Sequence, residues 1–355
     1  MTVPIRVLVV EDSLTVRKRL VEVLSSDPEL QVVGEAEDGR RGIELCQRLR
    51  PDVVTLDMMM PVMTGVAAAE YIMAYCPTPI LVVSASTNRG ELFRTYDALA
   101  AGAIDVLDKP LGTEPDGVWE ERLRGTVKLI SRIKVITHPR ARLGAMSQPA
   151  AAAPLAGEPA GPTRLVAIGG STGSPAAVVE ILRRLPPEFP HPILLVVHIN
   201  EPFGIAFAEW LDGLSPLRVR YARDGERLAE RGPSTVLMAP PGRHLAVERG
   251  VLRLDDGPER HSCKPSVDVL FESIARDGGA GALACLLTGM GRDGAQGLLA
   301  IRRAGGATIA QDEATSVVFG MPREAILLGA AQRVLPIHEI GAAIAARAGT
   351  PRRSP

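Results

Sequence analysis

The sequence has few aromatic residues, few cysteines and almost no net charge. Aromatics make up 3% of its 355 residues, so its cores must be aliphatic, a mix that suits parallel α/β sheets better than β-sandwiches. Cys46, Cys76, Cys263 and Cys285 are widely scattered, and none forms a C-x-x-C or a Cys/His metal spacing. A disulfide framework or a zinc site is therefore not expected. Lys and Arg number 40 against 41 Asp and Glu, a formal net charge of −1. A DNA-coating protein or a polybasic membrane binder would carry a clear positive excess. The start, MTVPIRVLVVEDS, meets acid after one short apolar stretch and lacks the basic beginning, longer apolar region and cleavage site of a signal peptide. The uncharged run 278–291 is too short to span a bilayer and is broken by five glycines. Most secreted, membrane and basic nucleic-acid classes are excluded, and a cytoplasmic protein with no membrane insertion is expected.

Hydrophobic residues make up 46% of the chain, enough for sizeable cores, and the length suggests two domains or three. One segment, 138–163, reads HPRARLGAMSQPAAAAPLAGEPAGPT. It is dominated by Ala, Pro and Gly and shows no sustained period, as a flexible linker does. The chain thus divides into a domain over 1–137, the linker, a second domain over 164–345 and a tail over 346–355. In the first domain, strand-like runs at 5–10, 31–35, 53–56, 80–84 and 103–107 alternate with helical stretches near 14–26, 39–49, 64–75, 90–101 and 116–134. That alternation predicts a doubly wound (βα)5 parallel sheet. In the second, 165–168, 193–197 and 282–287 are buried strands, and 244–247 and 251–254 flank a Glu248-Arg249-Gly250 turn. A second α/β domain with a mainly parallel sheet and a β-hairpin is predicted.

In a parallel sheet, functional groups gather at the carboxyl ends of the strands. There the first domain puts Glu11 and Asp12 after strand one, Asp57 after strand three, Ser84 after strand four, and Lys109, followed by Pro110, after strand five. Three acids at one edge repel one another and need a divalent cation; an all-oxygen set suits Mg2+. A lysine and a hydroxyl beside them suit a phosphoryl group. Taken singly, an Asp after a strand is most often a helix cap and a lone Lys a solvated charge. Five matching types at successive strand ends make a site the better explanation.

The stretches VVEDS at 9–13, LDMMMPVMTG at 56–65, VVSAS at 82–86 and GAIDVLDKP at 102–110 resemble a response-regulator receiver domain. The resemblance implies that Asp57 is the phospho-acceptor and that Glu11 and Asp12 form the acidic metal pocket. Ser84 then holds the hydroxyl role and Lys109 contacts the phosphoryl group. Two positions depart from the pattern. Thr64 stands where many receivers have Asp before the glycine, and Val106 where many have a switch aromatic, so a readout by aromatic rotation is not expected.

In the second domain, LVAIGGSTGSP at 165–175 ends a buried strand in Gly169-Gly170-Ser171-Thr172-Gly173, and Pro175 suits the first turn of a helix. The pentapeptide fits a nucleophile elbow, a glycine-rich dinucleotide turn and a structural strand-to-helix turn about equally. Partners decide between them. A serine nucleophile needs a base and a group to orient that base. Of the six histidines only His198 ends a buried strand, PILLVVHIN, beside the Ser171 turn. Asp293 follows the strand ALACLLT in the loop TGMGRDG, which can offer backbone N–H groups to an oxyanion. A short-chain dehydrogenase would want Tyr-x-x-x-Lys, but beyond the linker the only tyrosine is Tyr221 and the only lysine Lys264. Glu201 is the one remaining candidate for a ribose contact. A lipase-like hydrolase orders its triad Ser, acid, His, whereas here the order is Ser171, His198, Asp293.

That order, together with AIGGSTGSP at 167–175, VVHIN at 196–200, MAPPGRHL at 238–245, KPSVDVLF at 264–271, LLTGMGRDGAQGL at 286–298 and AQDEATSVVFGMP at 310–322, resembles the catalytic domain of chemotaxis protein-glutamate methylesterases, the CheB family. With the receiver included, the resemblance runs from about residue 3 to 340; Gly170 and Ser174 depart from the Ala and Gly common around the serine. It implies a phosphorylation-activated enzyme that hydrolyses γ-glutamyl methyl esters on the cytoplasmic helices of chemoreceptors and deamidates receptor glutamines. Ser171 is then the nucleophile, His198 the general base and then acid, and Asp293 the group that holds the imidazole. Thr172 and Met290 line the pocket, with the Met290 backbone as oxyanion donor. Mg2+ belongs to the receiver and no cofactor to the hydrolase site. The implied phosphodonor is a CheA-type histidine kinase, and the unphosphorylated receiver is expected to restrain the hydrolase. No basic helix-turn-helix pattern lies beyond the linker, so nucleic acid is not an expected partner.

Overall fold

The computed structural model describes residues 3–85, 88–110, 117–133, 135, 163–199, 203–228 and 234–348. Nearly all of the expected linker and most of the expected tail fall outside these residues, as does Glu201. The chain forms two compact units, Met1–Met146 and Ser147–Pro355, each taken by itself below.

The first unit runs β1 (Ile5–Val10), α1 (Leu14–Ser25), β2 (Leu30–Ala36), α2 (Gly39–Leu49), β3 (Val53–Leu56), α3 (Gly65–Tyr75), β4 (Ile80–Ser84), α4 (Arg89–Ala101), β5 (Asp105–Asp108) and α5 (Val118–Ile130). Its five strands pair in parallel in the order β2-β1-β3-β4-β5. Val7, Leu8, Val9 and Val10 in β1 and Val53, Val54 and Leu56 in β3 are fully buried, as expected of strands covered on both faces. Helices begin where the sequence supplies caps: Asp38 accepts from Arg41 N at 2.9 Å and Asn88 from Glu91 N at 3.0 Å. Strand β5 starts later than the run 103–107 suggested, because Ala103 N–H closes the end of α4 on Ala98 O (2.9 Å). Helix α5 is shorter than 116–134 at both ends; its buried Trp119, Leu123, Val127 and Ile130 form one helical stripe.

The second unit runs β6 (Leu165–Gly170), α6 (Ser174–Arg183), β7 (Ile193–Val197), α7 (Phe207–Leu214), β8 (Arg218–Tyr221), β9 (Thr235–Met238), β10 (His244–Glu248), β11 (Val251–Asp255), α8 (Val267–Gly278), β12 (Ala282–Leu286), α9 (Ala295–Arg303), β13 (Ala307–Gln311), α10 (Met321–Leu327), β14 (Arg333–Leu335) and α11 (Ile337–Ala348). Seven strands pair in parallel in the order β14-β13-β12-β6-β7-β9-β8. β10 and β11 form the expected antiparallel hairpin, with Glu248 opposite Val251. Its turn is shorter than predicted: Arg249 (φ 51°) and Gly250 (φ 72°) alone fill it, the two positive φ values of a tight hairpin loop. β6 lies at the centre of the sheet with β7 on one side and β12 on the other, so the chain's direction of travel reverses at its carboxyl end. On α8, Val267, Leu270, Phe271 and Ile274 are buried at helical spacing and join the core formed by β6, β7, β9 and β12.

Candidate functional site

At the carboxyl edge of the first sheet the structure brings together the acids, the hydroxyl and the lysine. Glu11 and Asp57 are buried, Asp12 is exposed, and each of the three offers a carboxylate oxygen within 4.8 Å of the others. Lys109 Nζ lies 2.9 Å from Glu11 Oε2 and 3.1 Å from Asp57 Oδ1. Met58 N–H donates to Asp57 Oδ1 at 2.8 Å, and Lys109 N–H donates to Ser84 O at 3.0 Å, tying β5 to β4. Burial, and then the charge of Asp57, push the Glu11 carboxyl up to about 7, against the pull of Lys109. Burial also raises the Asp57 carboxyl, again opposed by Lys109. Burial disfavours the Lys109 ammonium, but Asp57 and Glu11 outweigh it and hold its pKa above the ordinary lysine value. One lysine thus leaves the carboxylate charge undercompensated. The Ser84 hydroxyl is buried and has no hydrogen-bond partner among the described residues, a cost unless a ligand accepts from it. The all-oxygen donor set and the orphaned hydroxyl fit a divalent cation and a phosphoryl group.

At the switch point of the second sheet, Ser171 follows β6 and His198 follows β7. His198 N–H donates to Gly170 O at 3.1 Å, so the two residues sit on adjacent strand ends. Asp293 follows β12, on the other side of β6, and its Oδ2 is 2.9 Å from His198 Nε2. Three further donors lock this buried carboxylate: Ser266 Oγ (2.7 Å), Val267 N–H (2.7 Å) and Asp268 N–H (3.1 Å). All three come from the start of α8, where the N-terminal partial charge favours an anion. Burial would raise the Asp293 carboxyl, but His198, with the Ser266 hydroxyl and Val267 N–H, holds it below the usual carboxylate value. Burial disfavours the His198 imidazolium, yet Asp293 and Cys263 raise its pKa to about 9.

With Nε2 on Asp293, Nδ1 is on the other side of the imidazole, where Cys263 Sγ lies within sulfur hydrogen-bond distance at 3.6 Å. The Ser171 hydroxyl makes no hydrogen bond to His198 in this structure; such bonds often close only around substrate.

The serine turn is fixed by its neighbours. Ser171 N–H donates to Thr288 O (3.0 Å) and Leu287 N–H to Gly169 O (2.8 Å). Thr288 Oγ1 donates to Thr172 O (3.0 Å) and accepts from Val318 N–H (2.9 Å). Gly173, at φ 79°, opens α6 and lies against Val317, where a Cβ would collide. Thr172 is half-buried and Met290 is 39% exposed beside this turn's loop. Sequence reasoning did not single out Ser266, Thr288 or Cys263. Only Ser266 carried a local signal, as a serine N-cap ahead of an amphipathic helix.

Comparison with known proteins matches the profile described as CheB methylesterase to residues 166–344 and that of the response regulator receiver domain to residues 7–115. A protein-glutamate methylesterase/protein-glutamine glutaminase of Anaeromyxobacter dehalogenans is 45% identical over 342 residues, covering 96% of each chain. One of the same name from Pseudomonas aeruginosa is 43% identical over 359 residues, covering 99% of each. The solved catalytic domain of Thermotoga maritima CheB methylesterase covers 52% of this chain and 98% of its own, at 36% identity and a TM-score of 0.49. Over nearly its whole length, then, this chain belongs to the CheB methylesterase family, with a response-regulator receiver domain ahead of the methylesterase domain.

Proposed function

We propose that the protein is a protein-glutamate methylesterase and protein-glutamine glutaminase that acts on the cytoplasmic helices of chemoreceptors and is switched on by phosphorylation of Asp57. The relatives' names support the two activities. The observation that carries the mechanism is the His198–Asp293 pair, 2.9 Å apart, at the strand end next to Ser171. In this reading Ser171 Oγ attacks the γ-carbonyl of the methyl ester and His198 Nδ1 takes its proton. Asp293 keeps Nε2 protonated and stabilises the imidazolium that forms. His198 then returns the proton to the leaving methanol, and water releases the glutamate by the same exchange in reverse. Attack on a glutamine side chain releases ammonia instead. Thr172 lines the pocket, and the Met290 backbone N–H serves the oxyanion.

In the receiver, Glu11, Asp12 and Asp57 would hold Mg2+, which when bound neutralises the crowded carboxylates and the phosphoryl oxygens. Asp57 accepts the phosphoryl group from a CheA-type histidine kinase, Lys109 pairs with it and Ser84 donates to it. The division into receiver (1–137), linker (138–163), methylesterase domain (164–345) and tail (346–355), in a cytoplasmic protein, belongs to the same reading. Among the described residues no helix is long and apolar enough to cross a membrane.

The test is methanol release from methylated receptor membranes. Ser171→Ala should abolish it, a loss of about 10^4-fold or more. Turnover retained by that variant would overturn the assignment of the nucleophile.

A further inference from the structure

The hydrolysis proposed above leaves one side chain beside its imidazole without a task, the thiol of Cys263. Its position is built rather than incidental. Arg260 and Cys263 exchange both backbone hydrogen bonds (3.1 and 2.9 Å), closing a two-residue turn. Its central residues, His261 and Ser262, both have positive φ (53° and 58°). Neither is glycine, so the turn carries strain that its surroundings must hold. Arg260 supplies that hold by a bidentate pair with Glu272 on α8 (2.7 and 2.6 Å). His261 Nε2 adds a contact to the buried Asp268 at 3.3 Å.

The turn presents Cys263 Sγ 3.6 Å from His198 Nδ1. Two ligands of one tetrahedral zinc, with bonds of about 2.3 Å to sulfur and about 2.0 Å to nitrogen, lie roughly 3.5 Å apart. Behind the ring, Nε2 is held by Asp293 at 2.9 Å, the carboxylate–histidine arrangement that orients metal-binding imidazoles. Ligand atoms of His198, Cys263 and Asp293 all lie within 4.8 Å of one another. His198 and Cys263 are each half-buried, so neither is sealed from solvent.

We infer that Cys263 Sγ and His198 Nδ1 bind Zn2+, and that the bound ion inhibits the hydrolase by occupying the nitrogen that would take the Ser171 proton. The thiol proton leaves to solvent as the zinc–sulfur bond forms. A thiolate–imidazole pair prefers zinc to magnesium, so the receiver's cation does not compete. Binding stands independently of the proposed function; inhibition rests on it. Spacing in the sequence conceals the site, because its two ligands are 65 residues apart.

The test uses the untagged full-length protein with Co2+ as a spectroscopic probe and Zn2+ as competitor, in magnesium buffer. One equivalent of Co2+ should give a thiolate-to-cobalt charge-transfer band that Zn2+ abolishes. Cys263→Ser and, as a second variant, His198→Gln should each lose the band. The other cysteines, Cys46, Cys76 and Cys285, are buried and should not replace it. Zinc should inhibit methanol release by the wild type, and Cys263→Ser should need roughly tenfold more or beyond for the same inhibition. Absence of the band in the wild type, or its persistence in both variants, overturns the site. A band without inhibition overturns the inhibitory role while leaving the site in place. Absence of turnover in metal-free wild type points instead at the methylesterase reading and leaves the cobalt result unaffected.

Discussion

At the scale of the residue, His198, the proposed general base, should set the working pH. Burial alone would depress its pKa, but Asp293 and Cys263 raise it from 6.5 to about 9. A general base works deprotonated, so kcat/KM should climb about tenfold per pH unit below 9 and then level off. Asp293→Asn should move this limb down toward the ordinary histidine range and cut kcat by about 10^4-fold, because the imidazole loses its orientation and its counter-charge. Stability follows the same proton. A pKa raised on folding stabilises fully below 6.5 and loses that contribution as pH rises through about 9. The urea midpoint of the wild type should therefore decline across that window more steeply than that of Asp293→Asn. A pH–rate profile flat between 7 and 9 would refute the held imidazolium.

At the scale of the element, the site is a set of strand ends clamped by backbone contacts, and Gly289 packs directly against Ser171. A Cβ there would overlap Met321 Sδ and lie 2.8 Å from Ser171 Cβ and 3.0 Å from Ser171 N. Gly289→Ala should cost about 1–3 kcal/mol of stability by overpacking. Displacement of Ser171 by about 1 Å should cost turnover on the order of 10^2-fold. Thermal unfolding and kcat measured on one preparation check both, and wild-type values for both would refute the clamp. This level also shows what the sequence could and could not disclose. Strands that are buried on both faces, such as β1, β3, β6 and β7, appear as unbroken aliphatic runs and were legible, as were the acids and the histidine at their ends. β8 (RVRY) and β14 (RVL) are short, charged edge strands, and neither carried a periodic signal. The hydrogen bonds that fix Asp293 come from α8, more than twenty residues earlier in the chain. Such a partnership is set by packing and leaves no local pattern to find. The Cys263 contact was hidden for the same reason.

At the scale of the whole molecule, a net charge near zero conceals two unequal parts. Residues 1–137 hold 16 basic and 20 acidic residues, and the remainder 24 and 21. Part of the acidic excess is the Glu11, Asp12 and Asp57 pocket, where one lysine leaves the charge undercompensated and the Ser84 hydroxyl has no partner among the described residues. In the proposed switch, a phosphoryl group on Asp57 would add charge of about −1.5 to −2 at that point and would engage both Lys109 and the Ser84 hydroxyl. Val106 is buried and is not aromatic, so in the proposed switch rearrangement of the β4 and β5 ends should carry the signal. Coupling between two sites in one protein is commonly worth about 1–3 kcal/mol, or roughly 5–150-fold, and phosphodonor stimulation of methanol release should fall in that range. Asp57→Asn should keep the fold while removing the proposed acceptor oxygen. It should retain basal turnover and lose the stimulation. Stimulation of Asp57→Asn equal to that of the wild type would show that the acidic pocket does not control the hydrolase.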